Sequence, residues 1–172
     1  MNRAKVIRAW IWAGLWLAVI ALESFRGSAP NTGSLLRPLV EFFTGRLSDG
    51  TFDTLHTIAR KCGHFGGYAI LSLLLYRAWW ATSAARTGMK DLSWRAMRYA
   101  WTKRAAVLAL LTTLAVAGMD EFHQEFEPDR GPSMKDVALD ESGGIVAQAI
   151  LLALSMPGRK PEEEAVEGPS TS

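Results

Sequence analysis

Charge is nearly absent from four stretches of the chain, and polar residues gather between them. The first is "AWIWAGLWLAVIALESF", Ala9 to Phe25, apolar on every side until Glu23. "HFGGYAILSLLLYRAWWA" (His64 to Ala81), "AAVLALLTTLAVAGM" (Ala105 to Met119) and "GGIVAQAILLALSM" (Gly143 to Met156) follow. A helix that spans a bilayer needs about 20 largely apolar residues. The first two stretches approach that length. The third and fourth are shorter, and they gain length only if flanking polar residues face the protein interior. Buried helices of a soluble bundle are the alternative, but a soluble bundle of this size needs a polar face on each helix, and none is visible. The pattern predicts an all-α, integral membrane four-helix bundle over residues 1–157.

Between the first two stretches, "LLRPLVEFFTGRL" (Leu35 to Leu47) and "GTFDTLHTIARK" (Gly50 to Lys61) mix apolar and charged residues at near-helical spacing. They read as short interfacial helices in the first extracytoplasmic connection, lying on the membrane or capping a pocket; an irregular loop is the alternative. Residues 158–172 are rich in Pro, Glu and Ser and read as a disordered tail. Trp10, Trp12, Trp16, Trp79, Trp80 and Trp101 lie in or beside the apolar stretches, partly as interfacial anchors. Arg3, Lys5 and Arg8 before the first stretch suit a signal peptide too, but the long, Trp-rich run favours an uncleaved anchor.

Composition alone, at 49% hydrophobic and 21% charged residues with a net charge of +2, fits a soluble protein, so the segregation of charge carries the inference. The single cysteine, Cys62, excludes an internal disulfide. Twelve Lys and Arg lie in the two tails and the middle connection, against seven in the other two connections. The positive-inside rule then places both termini in the cytoplasm of a multi-pass cell-membrane protein.

That orientation gathers polar residues at the outer face. From Asp120 to Gly144 the chain carries eight acidic side chains, one histidine and two cations against apolar sequence. Ionisable groups at membrane depth are costly and normally face a bundle interior or a watery cavity. Lys61, His64 and Tyr68 are spaced i, i+3, i+7 and share one helix face. Lys61 suits an anionic head group or a carboxylate; His64 suits a general base, a metal ligand or a hydrogen-bonded core residue. Gly63, Gly66 and Gly67 suit close helix approach, as do Gly143 and Gly144. Asp120, Glu121 and Gln124 continue the third helix, as an acid or metal-binding cluster or as ion-pair partners of Lys61 or Arg130. His123 faces the other way. Arg130 offers a forked donor for phosphate or carboxylate. "SMKD" (Ser133 to Asp136) reads as a capping box, with Asp140 one turn beyond Asp136.

No metal is assigned: the histidines form no H-E-x-x-H pair and there is no cysteine cluster, although the carboxylates suit a hard cation such as Mg²⁺ or Ca²⁺. No cofactor is identified. There is no nucleophile elbow, phosphate-binding glycine loop or dinucleotide fingerprint. The basic middle connection suits anionic lipid, and no nucleic acid is expected.

"KCGHFGGY", of the form K-x-x-H-x-x-x-Y, and "DEFHQEFEPDRGPSMKD", of the form D-E-x-x-Q-x-F-x-P-x-R followed by Asp, resemble the VanZ-like family of small bacterial membrane proteins. The resemblance covers roughly Ala9 to Met156. The family usually carries Asn four residues after the motif aspartate; Asp140 stands there in this chain, and an ionised Asp only accepts hydrogen bonds. The family's namesake is linked to teicoplanin resistance without the usual change in peptidoglycan precursor, so the resemblance implies a cell-envelope role and a link to glycopeptide tolerance. The expected function is binding of a polar or anionic envelope ligand, lipid-linked or glycan, by Lys61, His64, Tyr68, Asp120, Glu121, Gln124, Arg130, Asp136 and Asp140. A membrane hydrolase or transferase acting on a lipid-linked phosphate or glycan, with His64 or Glu121 as its catalytic group, is the rival, and a structural membrane scaffold is the third reading.

Overall fold

The computed structural model describes residues 2–27, 32–124 and 133–155, and these are helical with short connections and no strand. Six helices follow in order: α1 (Asn2–Gly27), α2 (Thr32–Thr44), α3 (Asp49–Arg86), α4 (Trp94–Tyr99), α5 (Lys103–Gln124) and α6 (Met134–Ala153). The tail beyond residue 155 lies outside the described residues.

Local chemistry sets the helix ends. Gly45, at φ +79°, takes the left-handed conformation that stops α2, and its N–H returns to the Glu41 carbonyl. Ser48 then caps α3, its Oγ accepting from the Thr51 N–H at 3.3 Å. Nothing breaks the helix between Gly50 and Ala81. The segment expected to form a separate surface helix is therefore the first third of α3. At 38 residues, α3 is roughly 57 Å long, well beyond a hydrocarbon core of about 30 Å. Its amphipathic start must project past the apolar part. Gly88, at φ +80°, follows its end. The basic middle connection folds partly as α4, capped by Ser93.

α3 is the hub. α1, α5 and α6 pack along it, and α5 and α6 pack on each other. The closest approach is between α6 and α3: a Cβ on Gly143 would strike the backbone carbonyl of Phe65. Gly63, Gly66 and Gly67 have open space where a side chain would stand. Of the glycines expected to permit close approach, Gly143 of α6 does so against the expected stretch of α3, and Gly63, Gly66 and Gly67 do not.

The tryptophans are mostly internal ties. Trp10 on α1 donates to Thr82 Oγ1 at 3.1 Å, and Trp16 donates to the Gly67 carbonyl at 2.8 Å. Trp79 bonds Thr112 on α5, and buried Trp80 bonds the Ala100 carbonyl. Trp12 and Trp94 are the exposed ones. Mid-helix, Gln148 of α6 donates to Ser72 Oγ at 2.9 Å and to the Ser72 carbonyl at 3.1 Å, all of it buried. Polar groups are therefore not confined to one end, as expected from sequence; the centre holds an amide–hydroxyl clamp.

The sides of the helices are apolar and uncovered. Ile7, Ile11, Leu15 and Leu22 on α1, Val107, Leu111 and Leu114 on α5, and Ile145, Ile150 and Leu152 on α6 are exposed. Among the described residues, two helices are long and apolar enough to cross a membrane: Arg3–Ser24 of α1 and Lys103–His123 of α5. Only 17% and 33% of their apolar windows are buried, unlike the core helix of a soluble protein. The second apolar stretch was expected to qualify before the third. α5 qualifies as the span Lys103–His123, which takes in Asp120 and Glu121 beyond the apolar run.

Candidate functional site

Three helices bring their polar ends together. The middle turns of α3 supply His64 and Tyr68, the last turn of α5 supplies Asp120 and Glu121, and the start of α6 supplies Asp136 and Asp140. They meet around a cleft lined by Arg60, Lys61, His64, Glu121, Asp136, Leu139 and Asp140.

Helix periodicity does the positioning. Lys61 and His64 are one turn apart on α3 and both reach the cleft, while Tyr68, two turns along, lies beneath it, 1% exposed. Tyr68 donates its hydroxyl to Asp120 Oδ2 at 3.3 Å. Asp120 makes no ion pair with Lys61; the tyrosine takes the place of that expected partner, and Lys61 stays exposed at the rim. The His64 and Tyr68 rings stack with centroids 6.5 Å apart.

Glu121 is buried, and its Oε1 accepts the Ser133 N–H at 2.7 Å. Ser133 caps α6 as expected, its Oγ accepting from the Asp136 N–H. The reciprocal half of the capping box is made differently. The Ser133 N–H that Asp136 would have taken goes to Glu121, so α5 closes the start of α6 and Asp136 is left facing the cleft.

Asp140 is 3% exposed. Its Oδ1 lies 3.5 Å from His64 Nδ1, within ion-pair reach but outside hydrogen-bond geometry, and has no hydrogen-bond partner. One donor atom each from His64, Asp120 and Asp140 lies within 4.8 Å of the others. The sequence offered no metal motif because these three come from three helices, far apart along the chain. Arg60 was not anticipated either; its spacing of four from His64 was the signal. Arg130 and the Gln124 side chain lie outside the described residues. His123 is exposed at the end of α5.

The cleft holds three carboxylates and two cations, with a free volume of about 10 Å³. That is the space of about one water. It admits an ion or a single ligand atom, and a larger ligand must sit on its rim, where Arg60 and Lys61 are exposed.

The VanZ/LLP1 family model matches residues 9–155, which takes in the whole cleft and every helix that packs on α3. The chain belongs to the VanZ/LLP1 family. No curated protein and no solved structure matches it. VanZ membership and the two apolar helices together support a membrane protein of the VanZ-like envelope class.

Proposed function

We propose that this VanZ/LLP1 chain is a four-helix integral membrane protein that binds an anionic envelope ligand, lipid-linked or glycan, at the outer face. α1, α3, α5 and α6 cross the bilayer. Both termini are cytoplasmic. The ligand's phosphate or carboxylate rests on Arg60 and Lys61, and the groups beneath orient it.

One observation carries this reading. Titratable groups from three separate helices converge on a single end, with Asp140 and Glu121 buried, while the helix sides are bare hydrocarbon. Burying carboxylates is costly, and ionisable groups at membrane depth are rare and mark functional sites. The orientation agrees with the other end of the molecule, where Lys5, Arg8 and Arg77 surround a second cleft of about 310 Å³ with no carboxylate. A cytoplasmic end is expected to carry such cations. The enzyme reading draws on the approach of His64 to Asp140, the pairing an acid–base group requires.

The test is ligand protection. Protein purified in mild detergent is heated with anionic phospholipid, with zwitterionic phospholipid, or with a lipid-linked glycan phosphate. Selective stabilisation by the anionic ligands, lost in Lys61→Ala and Asp120→Ala variants of unchanged helicity, is the expected result. Equal stabilisation of wild type and both variants would remove the assignment. Turnover of the glycan phosphate, abolished in His64→Ala, would replace binding with catalysis.

A further inference from the structure

The proposed cleft has a difficulty: it offers an anionic ligand three carboxylates and only two cations. We infer that His64, Asp120 and Asp140 hold one divalent first-row cation, Zn²⁺ or Mn²⁺, which bridges the carboxylates to the ligand. This deepens the outer-face ligand reading and rests on it for the bridging role alone.

The geometry supports an ion. His64 Nδ1 and Asp140 Oδ1 are 3.5 Å apart. That is longer than the usual N–H···O range of about 2.7–3.2 Å. It is close to the roughly 3.4 Å between two ligands of one tetrahedral zinc with bonds near 2.1 Å. Asp140 Oδ1 is aimed into this gap, buried and without a hydrogen-bond partner. A buried carboxylate oxygen whose nearest donor, His64 Nδ1, stands off at 3.5 Å is left under-satisfied, and a cation between the two offsets that cost. The third donor, on Asp120, lies within 4.8 Å of the other two, so small side-chain rotations close the set.

The neighbours are those of a metal site. Tyr68 donates to Asp120 Oδ2, as an outer-shell partner that fixes a ligating carboxylate. The cleft that His64 and Asp140 line has a free volume of about 10 Å³, room for one ion. The donor chemistry selects the class: imidazole favours Zn²⁺ and other first-row metals, and carboxylates also suit Mn²⁺, whereas Mg²⁺ and Ca²⁺ prefer all-oxygen sites. Three protein ligands leave a position open for a phosphate or carboxylate oxygen.

The full-length protein in detergent is stripped with chelator, dialysed against Zn²⁺, Mn²⁺ or Mg²⁺, and its metal content per chain measured. One Zn²⁺ or Mn²⁺ per chain is expected, with Mg²⁺ not retained. His64→Ala and Asp140→Asn, checked for wild-type helicity, should lose the ion. Tyr68→Phe should keep it with an affinity about 10-fold weaker. Should those variants misfold, the Mn²⁺ form of the wild type still decides: its pulsed electron paramagnetic resonance spectrum must show coupling to a histidine nitrogen. An unmetallated wild type, equal retention by folded variants, or a Mn²⁺ spectrum without nitrogen overturns the site. A wild type that holds no ion yet is protected by anionic lipid overturns the ion and leaves the ligand reading standing. One that holds the ion but gains nothing from any ligand keeps the ion and overturns the bridge.

Discussion

Gly143 allows a direct test of the packing that assembles the cleft. In Gly143→Ala the new methyl would land on the Phe65 carbonyl oxygen, 3.0 Å from the carbonyl carbon and 3.3 Å from the Cα. The obstacle is helix backbone, which cannot rotate aside as a side chain can. α6 must move away from α3 by on the order of 1 Å, and gaps of that size forfeit a quarter to a half of each dispersion contact. The shift also strains the Gln148–Ser72 bonds one turn further on. Overpacking costs about 1–3 kcal/mol, and a backbone obstacle places this variant near the top of that range. Gly144→Ala is the matched control. Its Cβ would meet Ser72 Cβ and Thr113 Cγ2 at 3.4 Å and Leu110 Cδ2 at 3.5 Å, all side-chain atoms at ordinary contact. Replacing a helical glycine by alanine gains about 0.5–1 kcal/mol, so Gly144→Ala should be neutral or slightly stabilised. The assay is reversible unfolding in mixed micelles with increasing dodecyl sulfate, followed by far-ultraviolet circular dichroism. Equal midpoints for the two variants, or a more stable Gly143→Ala, would refute the claim that α6 rests on the backbone of α3.

Other predictions follow from single contacts. Gln148→Leu removes the clamp on Ser72 and should cost about 0.6–1.7 kcal/mol, the range for interhelical hydrogen bonds in membranes, in the same unfolding assay. Glu121→Ala orphans the Ser133 N–H and should cost about 1–2 kcal/mol, whereas Glu121→Gln keeps an acceptor and should recover most of it. Cys62, exposed on the stretch of α3 beside Lys61, should react with a membrane-impermeant maleimide in intact cells; labelling only after the cells are opened would reverse the orientation. At the start of the chain's amphipathic region, the Arg37 side chain hydrogen-bonds Glu41 and holds its carboxyl below the usual range. That tie is fully present above the ordinary carboxylate pKa and is lost as pH falls through the lowered value, so the protection factors of α2 amides, taken against the intrinsic exchange rate at each pH, should be smaller at pH 3 than at pH 6.

The apolar stretches, their helical nature and the polar end of the third helix were legible in the sequence. A backbone away from water satisfies its hydrogen bonds as a helix or a closed barrel, and uncharged runs of this length without period-two alternation read as helix. The i, i+3, i+7 spacing put Lys61, His64 and Tyr68 on one side of α3, and the family motif placed Asp120 and Asp136 in the same region. Tertiary structure decided the partners. Ser133 has a capping partner three residues away in sequence, but the Glu121 carboxylate of α5 is nearer in space and takes its N–H. Tyr68 reaches Asp120 before Lys61 does, because tyrosine lies under the helix contact and lysine stands at its rim. Gly143 is the close contact and Gly66 is not, because the choice depends on how α6 is rotated about its axis, which no single helix's periodicity fixes. The meeting of His64, Asp120 and Asp140 is of the same kind. Sequence spacing can align residues along one helix, but three ligands on three helices become neighbours only when the helices pack.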